Sequence, residues 1–265
     1  MAKRLELSVE DVLRKLLSGE LTLEQAKRRL AALNVKRVAD LARLDTHRAL
    51  RVGVPEAILA EGKSPEASAR AAIAMAKETG YALITRAGRE HLRKLRARLP
   101  RGFRLEYNEK ARTIVVRRAG YTFPKVGKIG VLAAGTADIP VAEEASVAAR
   151  VMGCEVFKAY DIGVAGIHRL FEPLERMMDE GVAAIVVVAG MEGALPSVVS
   201  SLVDVPVIGV PTSIGYGVGA DGIGALVTML QSCSPKLAVV NIDNGFGAGV
   251  FAALVARQAA RGDKR

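Results

Sequence analysis

Five short apolar runs punctuate the second half of the chain: "IGVLAAG" from Ile129, "CEVFKAY" from Cys154, "AAIVVVAG" from Ala183, "VPVIGVP" from Val205 and "KLAVVNI" from Lys236. Each has the length of a strand, and the segments between them have the length of helices. Strands apolar on both faces that alternate with helices require a parallel sheet covered on two sides. Residues 125–265 are therefore predicted to form a three-layer, doubly wound α/β domain. Sites in such sheets lie beyond the carboxyl ends of the strands, so the residues just after each run carry the functional information.

Residues 1–124 read differently, as a basic helical and α/β region. Ser8 before Asp11, and Thr22 three residues before Gln25, predict a cap and a capping box for two short helices over about 9–17 and 23–32. Gly53, Pro55 and Gly62 argue against continuous regular structure in "LDTHRALRVGVPEAILAEGKSP". Pro65 at a first helical position and Gly80 at the end frame an Ala-rich helix. A strand "YALIT", a helix "REHLRKLRARL" and two alternating segments around Asn108-Glu109-Lys110 complete a smaller α/β domain, with "AGYTFPKVGK" as the junction.

Charge follows this division. Residues 1–124 hold 27 Lys and Arg against 14 Asp and Glu, whereas 125–265 hold 11 against 14. A basic front suits a phosphorylated small molecule, an acidic surface or nucleic acid. Aromatic residues are only 4% and none interleave with basic ones along a strand, so a stacking platform for single strands is absent and no specific nucleic acid is expected. The apolar runs are too short to cross a bilayer and the first residues lack a signal-peptide core, so the expected compartment is the cytoplasm, with no membrane partner. Two cysteines and three histidines make neither a disulfide framework nor a structural zinc site.

At the strand ends, "GTADIPVAEEA" offers Gly135 for a turn, with Thr136 and Asp138 either capping the next helix or holding phosphate or ribose. It is neither G-x-G-x-x-G nor a P-loop. "AYDIGVAGIHR" places Asp161 and His168 near the mouth, as ligand contacts or as a capping aspartate and a solvent-facing histidine. In the third run, Gly190 permits a turn and Met191 and Glu192 emerge at the sheet edge. A carboxylate beside apolar walls can move protons; one near a helix start can also simply favour the dipole. "TSIGYGVGADG" supplies Ser213, Gly215, Tyr216 and Gly217, a loop able to bind an anion or to act as a lid. Asn241, Asp243 and Asn244 follow the fifth run. Cys154 reads as a small buried hydrophobe; Cys233, between Ser232 and Ser234, suits that default less well.

"AGMEGALPSVVSSLVDVPVIGVP" and "GTADIPVAEEA" resemble motifs of the aminoimidazole ribonucleotide carboxylase/mutase family of purine synthesis, which has a flavodoxin-like doubly wound sheet. That family carries a catalytic histidine just before the Leu-Pro pair, where this chain has Ala194. Nearly the whole chain, including "YDIGVAGIHR", "TSIGYG", "SCSP" and "NIDNGFGAG", resembles the LarB family of pyridinium-3,5-biscarboxylic acid mononucleotide synthases. The resemblance implies carboxylation of nicotinic acid adenine dinucleotide at pyridinium C5 and hydrolysis of its phosphoanhydride, in the making of the nickel-pincer nucleotide of lactate racemase. It implies a nucleophilic Cys233, a ring-side Glu192, and nucleotide contacts among the other strand-end residues. Carbon dioxide or bicarbonate is the co-substrate, no tightly bound cofactor is implied, and the assembly is a homo-oligomer, an octamer in the resembling families. Magnesium is a candidate to shield the pyrophosphate, although no ligand cluster specifies it. The rival readings are a purine-type carboxylase or mutase, a nucleic-acid-binding module and a scaffold with a degenerate pocket.

Overall fold

The structure is a computed structural model that describes residues 9–31, 36–38, 42–46, 48–219 and 221–262. The chain divides into two compact units. The first comprises Met1–Ile84, Arg89–Leu105 and Val115–Tyr121; the second comprises Thr85–Gly88, Glu106–Ile114 and Thr122–Arg265. Two segments that precede residue 124 thus pack with the second unit.

The first unit opens with α1 (Val9–Leu17) and α2 (Leu23–Ala31). The Thr22 amide donates to Gln25 Oε1 at 2.8 Å, and the Gln25 amide donates to Thr22 Oγ1 at 3.3 Å, so the capping box forms as expected. The cap expected at Ser8 lies outside the described residues, as does the last residue of the second predicted helix. Val12, Leu21 and Ala26 make a small core between the two helices. Two three-residue strands, β1 (Lys36–Val38) and β2 (Ala42–Leu44), pair antiparallel. Their brevity left no period for the sequence reading to find.

Short pieces α3 (Arg48–Val52) and β3 (Ala57–Leu59) interrupt the segment broken by Gly53 and Pro55. Then α4 (Pro65–Thr79) starts on Ser64, whose side chain accepts from the Ala67 amide, and ends on Gly80 at φ 91°. β4 (Tyr81–Thr85), α5 (Arg89–Arg98), β5 (Phe103–Asn108) and β6 (Thr113–Arg118) complete a sheet of order β3-β4-β6-β5.

In the second unit the five apolar runs become β7 (Gly127–Ala133), β8 (Cys154–Tyr160), β9 (Ile185–Ala189), β10 (Val207–Pro211) and β11 (Leu237–Val239). All neighbouring pairs are parallel, in the order β11-β10-β9-β7-β8. Between and after them run α6 (Ile139–Val151), α7 (Phe171–Asp179), α8 (Leu195–Leu202), α9 (Ile223–Leu230) and α10 (Gly245–Gly262). Leu174 and Met177 of α7, Val199 of α8 and Met229 of α9 share one core with Ile185, Val187 and Val207. α10 packs closely on α6. This is the predicted doubly wound architecture in its flavodoxin-like order. The strand order reverses between β7 and β9, so the connections that leave their carboxyl ends run to opposite sides of the sheet and leave a crevice between them.

Candidate functional site

The crevice is built around Asp138. β7 ends at Ala133, and a 3₁₀ turn over Thr136–Asp138 leads into α6, whose Pro140 suits a first helical turn. Asp138 is buried; its Oδ2 accepts from the Gly135 amide at 2.9 Å and its Oδ1 from Thr212 Oγ1 at 2.7 Å. The Gly190 amide also donates to it. Burial raises the Asp138 carboxyl above the usual carboxylate range, and these donors only partly offset that. The side chain therefore ties together the ends of β7, β9 and β10. Asp138 stands at the cap position of α6 but its side chain makes no cap bond to that helix, because its oxygens are taken by Gly135, Gly190 and Thr212; Thr136 stands exposed beside it.

Gly190 is fixed by the same cluster. A Cβ there would lie 2.3 Å from the Ile214 carbonyl oxygen and 2.7 Å from Thr212 Oγ1, so only glycine fits. A turn follows in which the Gly193 amide donates to the Gly190 carbonyl at 2.9 Å, with Met191 at φ 49°. Non-glycine residues in that region are uncommon and cluster at functional positions. Glu192 sits on this turn, exposed, before α8 begins, and its carboxylate makes no hydrogen bond or ion pair among the described residues.

The loop after β10 lines a cleft with Met191: Ser213, Ile214, Gly215, Tyr216 and Gly217 face it, as does Asp221. Tyr216 is almost fully exposed. The Met191 amide donates to the Ile214 carbonyl at 3.2 Å, so the Glu192 turn and this loop are joined. Asp243, at φ 56°, closes the other flank: its Oδ1 accepts from the Ser213 amide at 2.9 Å, and its carbonyl accepts from Arg86 Nη2 at 3.3 Å. Asn244 Oδ1 accepts from the Gly247 amide at 2.8 Å and caps α10, while Asn241 is exposed.

Next to this crevice, at the end of β8, Asp161 (φ 60°) pairs with Arg169 at 2.6 Å, and the Gly163 amide donates to the Ala134 carbonyl at 2.8 Å. His168 is exposed on the 3₁₀ segment Val164–Arg169. Gly135, Asp138, Gly190, Met191, Ser213, Gly215 and Asp243 thus converge, with Asp161 adjacent. Thr212, Arg86 and Arg169 belong to the cluster but were not singled out in the sequence. Thr212 has a local signal, a polar residue directly ending an apolar strand; Arg86 has none, since it meets Asp243 from 157 positions away.

Cys233 is placed elsewhere. It lies between the end of α9 and the start of β11, at the amino edge of the parallel sheet. Ser232 Oγ bonds Ser197 Oγ at 2.9 Å, and Ser234 Oγ bonds Ser200 Oγ at 2.5 Å. Both flanking serines are held against α8, which leaves the cysteine between them exposed. Cys154 is buried as expected, and burial pushes its thiol up to about 11.

Among the described residues no three His, Cys, Asp or Glu side chains gather as a metal site, and no helix is long and apolar enough to cross a membrane. Residues 36–118 match a family described as LarB/PurE-like N-terminal domain, and residues 128–262 match the AIR carboxylase family. An uncharacterized protein of Methanocaldococcus jannaschii is 45% identical over 254 residues, 94% of this chain and 97% of its own length. The N5-carboxyaminoimidazole ribonucleotide mutase of Thermotoga maritima is 29% identical over 132 residues, 48% of this chain and 74% of its own. That of Pyrococcus horikoshii is 30% identical over 129 residues, 47% of this chain and 69% of its own.

Proposed function

The chain belongs to the AIR carboxylase family, here joined to a LarB/PurE-like N-terminal domain, and from that membership we propose that it carboxylates nicotinic acid adenine dinucleotide at pyridinium C5 and hydrolyses its phosphoanhydride, giving pyridinium-3,5-biscarboxylic acid mononucleotide and AMP. One observation carries the reading. Ala194 precedes Leu195-Pro196 where the resembling purine enzymes have their catalytic histidine, while the exposed thiol of Cys233 and the exposed carboxylate of Glu192 offer another chemistry.

A pyridinium ring is electron-poor and does not attack carbon dioxide. Addition of the Cys233 thiolate to C4 forms a C–S bond and moves the electron pair to the ring nitrogen, giving a 1,4-dihydropyridine whose C5 is an enamine carbon. C5 then bonds to carbon dioxide, leaving an iminium at the ring nitrogen. Glu192 removes the C5 proton, the enamine re-forms, and expulsion of the thiolate restores the aromatic ring. One proton is released, the thiolate is regenerated and no oxidant or reductant is consumed. Water then cleaves the phosphoanhydride.

The placement of the remaining residues supports the following roles. Thr136 and the start of α6 receive phosphate, since free amides and the helix dipole favour an anion there. Asp138, Gly190 and Thr212 shape the wall beside the ribose. The Ser213–Gly217 loop covers the mononucleotide, with Tyr216 free to move over it. Arg169, oriented by Asp161, supplies positive charge beside the anhydride, and Asp243 holds the loop through Ser213. His168, Asn241 and Asn244 remain peripheral, the last as a helix cap.

A second reading, mutase or carboxylase action on an aminoimidazole ribonucleotide, is favoured by the named relatives. Incubation with ¹³C-bicarbonate and either nicotinic acid adenine dinucleotide or aminoimidazole ribonucleotide, followed by mass analysis, separates the two. Label in a pyridinium mononucleotide, with AMP in equal amount, is expected. Turnover of the aminoimidazole substrate alone overturns the proposal.

A further inference from the structure

Arg86 meets the crevice from a strand end that is fixed on both sides. It follows β4 directly. Before it, Thr85 is buried and donates its hydroxyl to Glu144 of α6; after it, the buried Ala87 donates its amide to the Arg112 carbonyl at 2.7 Å. Glu144 is itself buried, and its other oxygen accepts from the Phe246 amide at 3.1 Å. The strand end, α6 and the start of α10 are thereby tied together. Arg86 emerges half-buried between its two locked neighbours, with Nη2 on the Asp243 carbonyl.

The backbone there is strained, at φ 54°. Among the described residues, Arg86, Arg112, Asp161, Met191, Asp221 and Asp243 are the non-glycine residues with positive φ. Asp161, Met191, Asp221 and Asp243 stand at the crevice or its cleft; Arg86 bonds Asp243, and Arg112 Nη2 donates to the Arg86 carbonyl at 3.4 Å. Left-handed backbone in a non-glycine residue persists where its surroundings impose it, most often at a ligand site.

Arg86 also comes from a part of the chain outside the AIR carboxylase match, which begins at residue 128; it belongs to the residues 36–118 that match the other family. The mutases, named for acting on a ribonucleotide, match about half of this chain. Thr85–Gly88 nevertheless pack within the second unit. What this segment adds to the crevice is a guanidinium. A dinucleotide differs from a single nucleotide by a second phosphate and a nucleoside, and a guanidinium presents paired N–H donors that match two phosphate oxygens.

Resting on the reading that the substrate is nicotinic acid adenine dinucleotide, we propose that Arg86 binds the adenylate-side phosphate and is the residue by which the protein selects a dinucleotide over a mononucleotide. Arg169 reaches the crevice from the segment after β8, so the two phosphates of the anhydride meet separate cations. Asp243 aims the Arg86 guanidinium through its carbonyl and holds Ser213 through its carboxylate, which joins the phosphate contact to the Ser213–Gly217 loop.

Titration calorimetry on the full chain, without bicarbonate, compares nicotinic acid adenine dinucleotide with nicotinic acid mononucleotide. The wild type is expected to bind the dinucleotide more tightly. Arg86→Gln is expected to lose about 10- to 100-fold in dinucleotide affinity, the size of a charge-assisted hydrogen bond, with mononucleotide affinity unchanged. Arg86→Lys keeps the charge without the fork and should lose part of the preference. A structural role alone would weaken both ligands together through Asp243 and its loop, so an equal loss overturns the proposal, as does an unchanged preference in Arg86→Gln. Should the glutamine variant fail to fold by circular dichroism, a lysine variant with the wild-type ratio overturns it instead. A wild type that binds both ligands equally sinks this inference alone; one that binds neither sinks the functional reading and this inference with it.

Discussion

Replacing Thr212 by valine removes one hydroxyl while keeping the shape, and it isolates the contact on which the crevice depends. Thr212 is fully buried, and its Oγ1 donates to the buried Asp138 at 2.7 Å. A hydrogen bond to a charged group contributes about 1.5–3 kcal/mol, and a buried acceptor that loses a donor costs in the same range. Thr212→Val should therefore destabilise the protein by about 1.5–3 kcal/mol, a fall of roughly 3–12 °C in melting temperature for a chain of this size. Thr212→Ser keeps the donor and should lose only the methyl contact, about 1 kcal/mol. The Asp138 carboxyl should rise further in the valine variant, because one of the donors that hold it down is gone. Differential scanning calorimetry measures the first effect, and the carboxyl carbon chemical shift of Asp138 followed through a pH titration measures the second. Equal stability for the valine and serine variants, with an unmoved Asp138 titration, would refute the idea that this bond organises the site.

Gly190→Ala forces a methyl against the Ile214 carbonyl and should cost about 1–3 kcal/mol while weakening nucleotide binding by calorimetry; wild-type affinity would contradict the close packing. Glu143 accepts from Asn108 at 2.6 Å, Lys158 at 2.8 Å and Tyr160 at 2.7 Å. Burial raises its carboxyl, but these donors outweigh it and hold the group below the ordinary range. A depressed folded value means stability that is present above the ordinary carboxylate pKa and lost as pH falls through the folded value. Glu143→Gln should thus cost about 1–3 kcal/mol at neutral pH in denaturant melts, and progressively less in acid. Cys154, buried and with its thiol pushed up, should resist thiol reagents in the native protein and react once unfolded; rapid native labelling would place it wrongly.

What the sequence carried locally was readable. The capping box at Thr22 and Gln25, the Ser64-Pro65 start of α4 and the Gly80 stop each lie within a few residues, and each formed. The five apolar runs announced β7 to β11 because a doubly covered sheet leaves no polar face to blur the pattern. Their spatial order did not show, since it is decided by pairings between distant segments. The site divides in the same way. Gly190 was legible as a turn, yet the Ile214 carbonyl that forbids a side chain there was not. Asp138 was legible as a residue at a helix start, yet its side chain does not cap that helix and is instead held by Thr212 from 74 positions away. The strand-end rule pointed to the Glu192 turn after β9, whereas Cys233 was read before the last strand, and there it lies, at the amino edge of the sheet.

The central claim is covalent: a thiolate builds the reactive ring and a carboxylate later takes its proton. Intact-protein mass spectrometry after incubation with nicotinic acid adenine dinucleotide and bicarbonate tests it directly. A dinucleotide-derived adduct is expected on the wild type and on Glu192→Gln, which should be slowed about 10²- to 10⁴-fold in product release, and no adduct or product on Cys233→Ala. Product formed by Cys233→Ala at the wild-type rate would contradict the account.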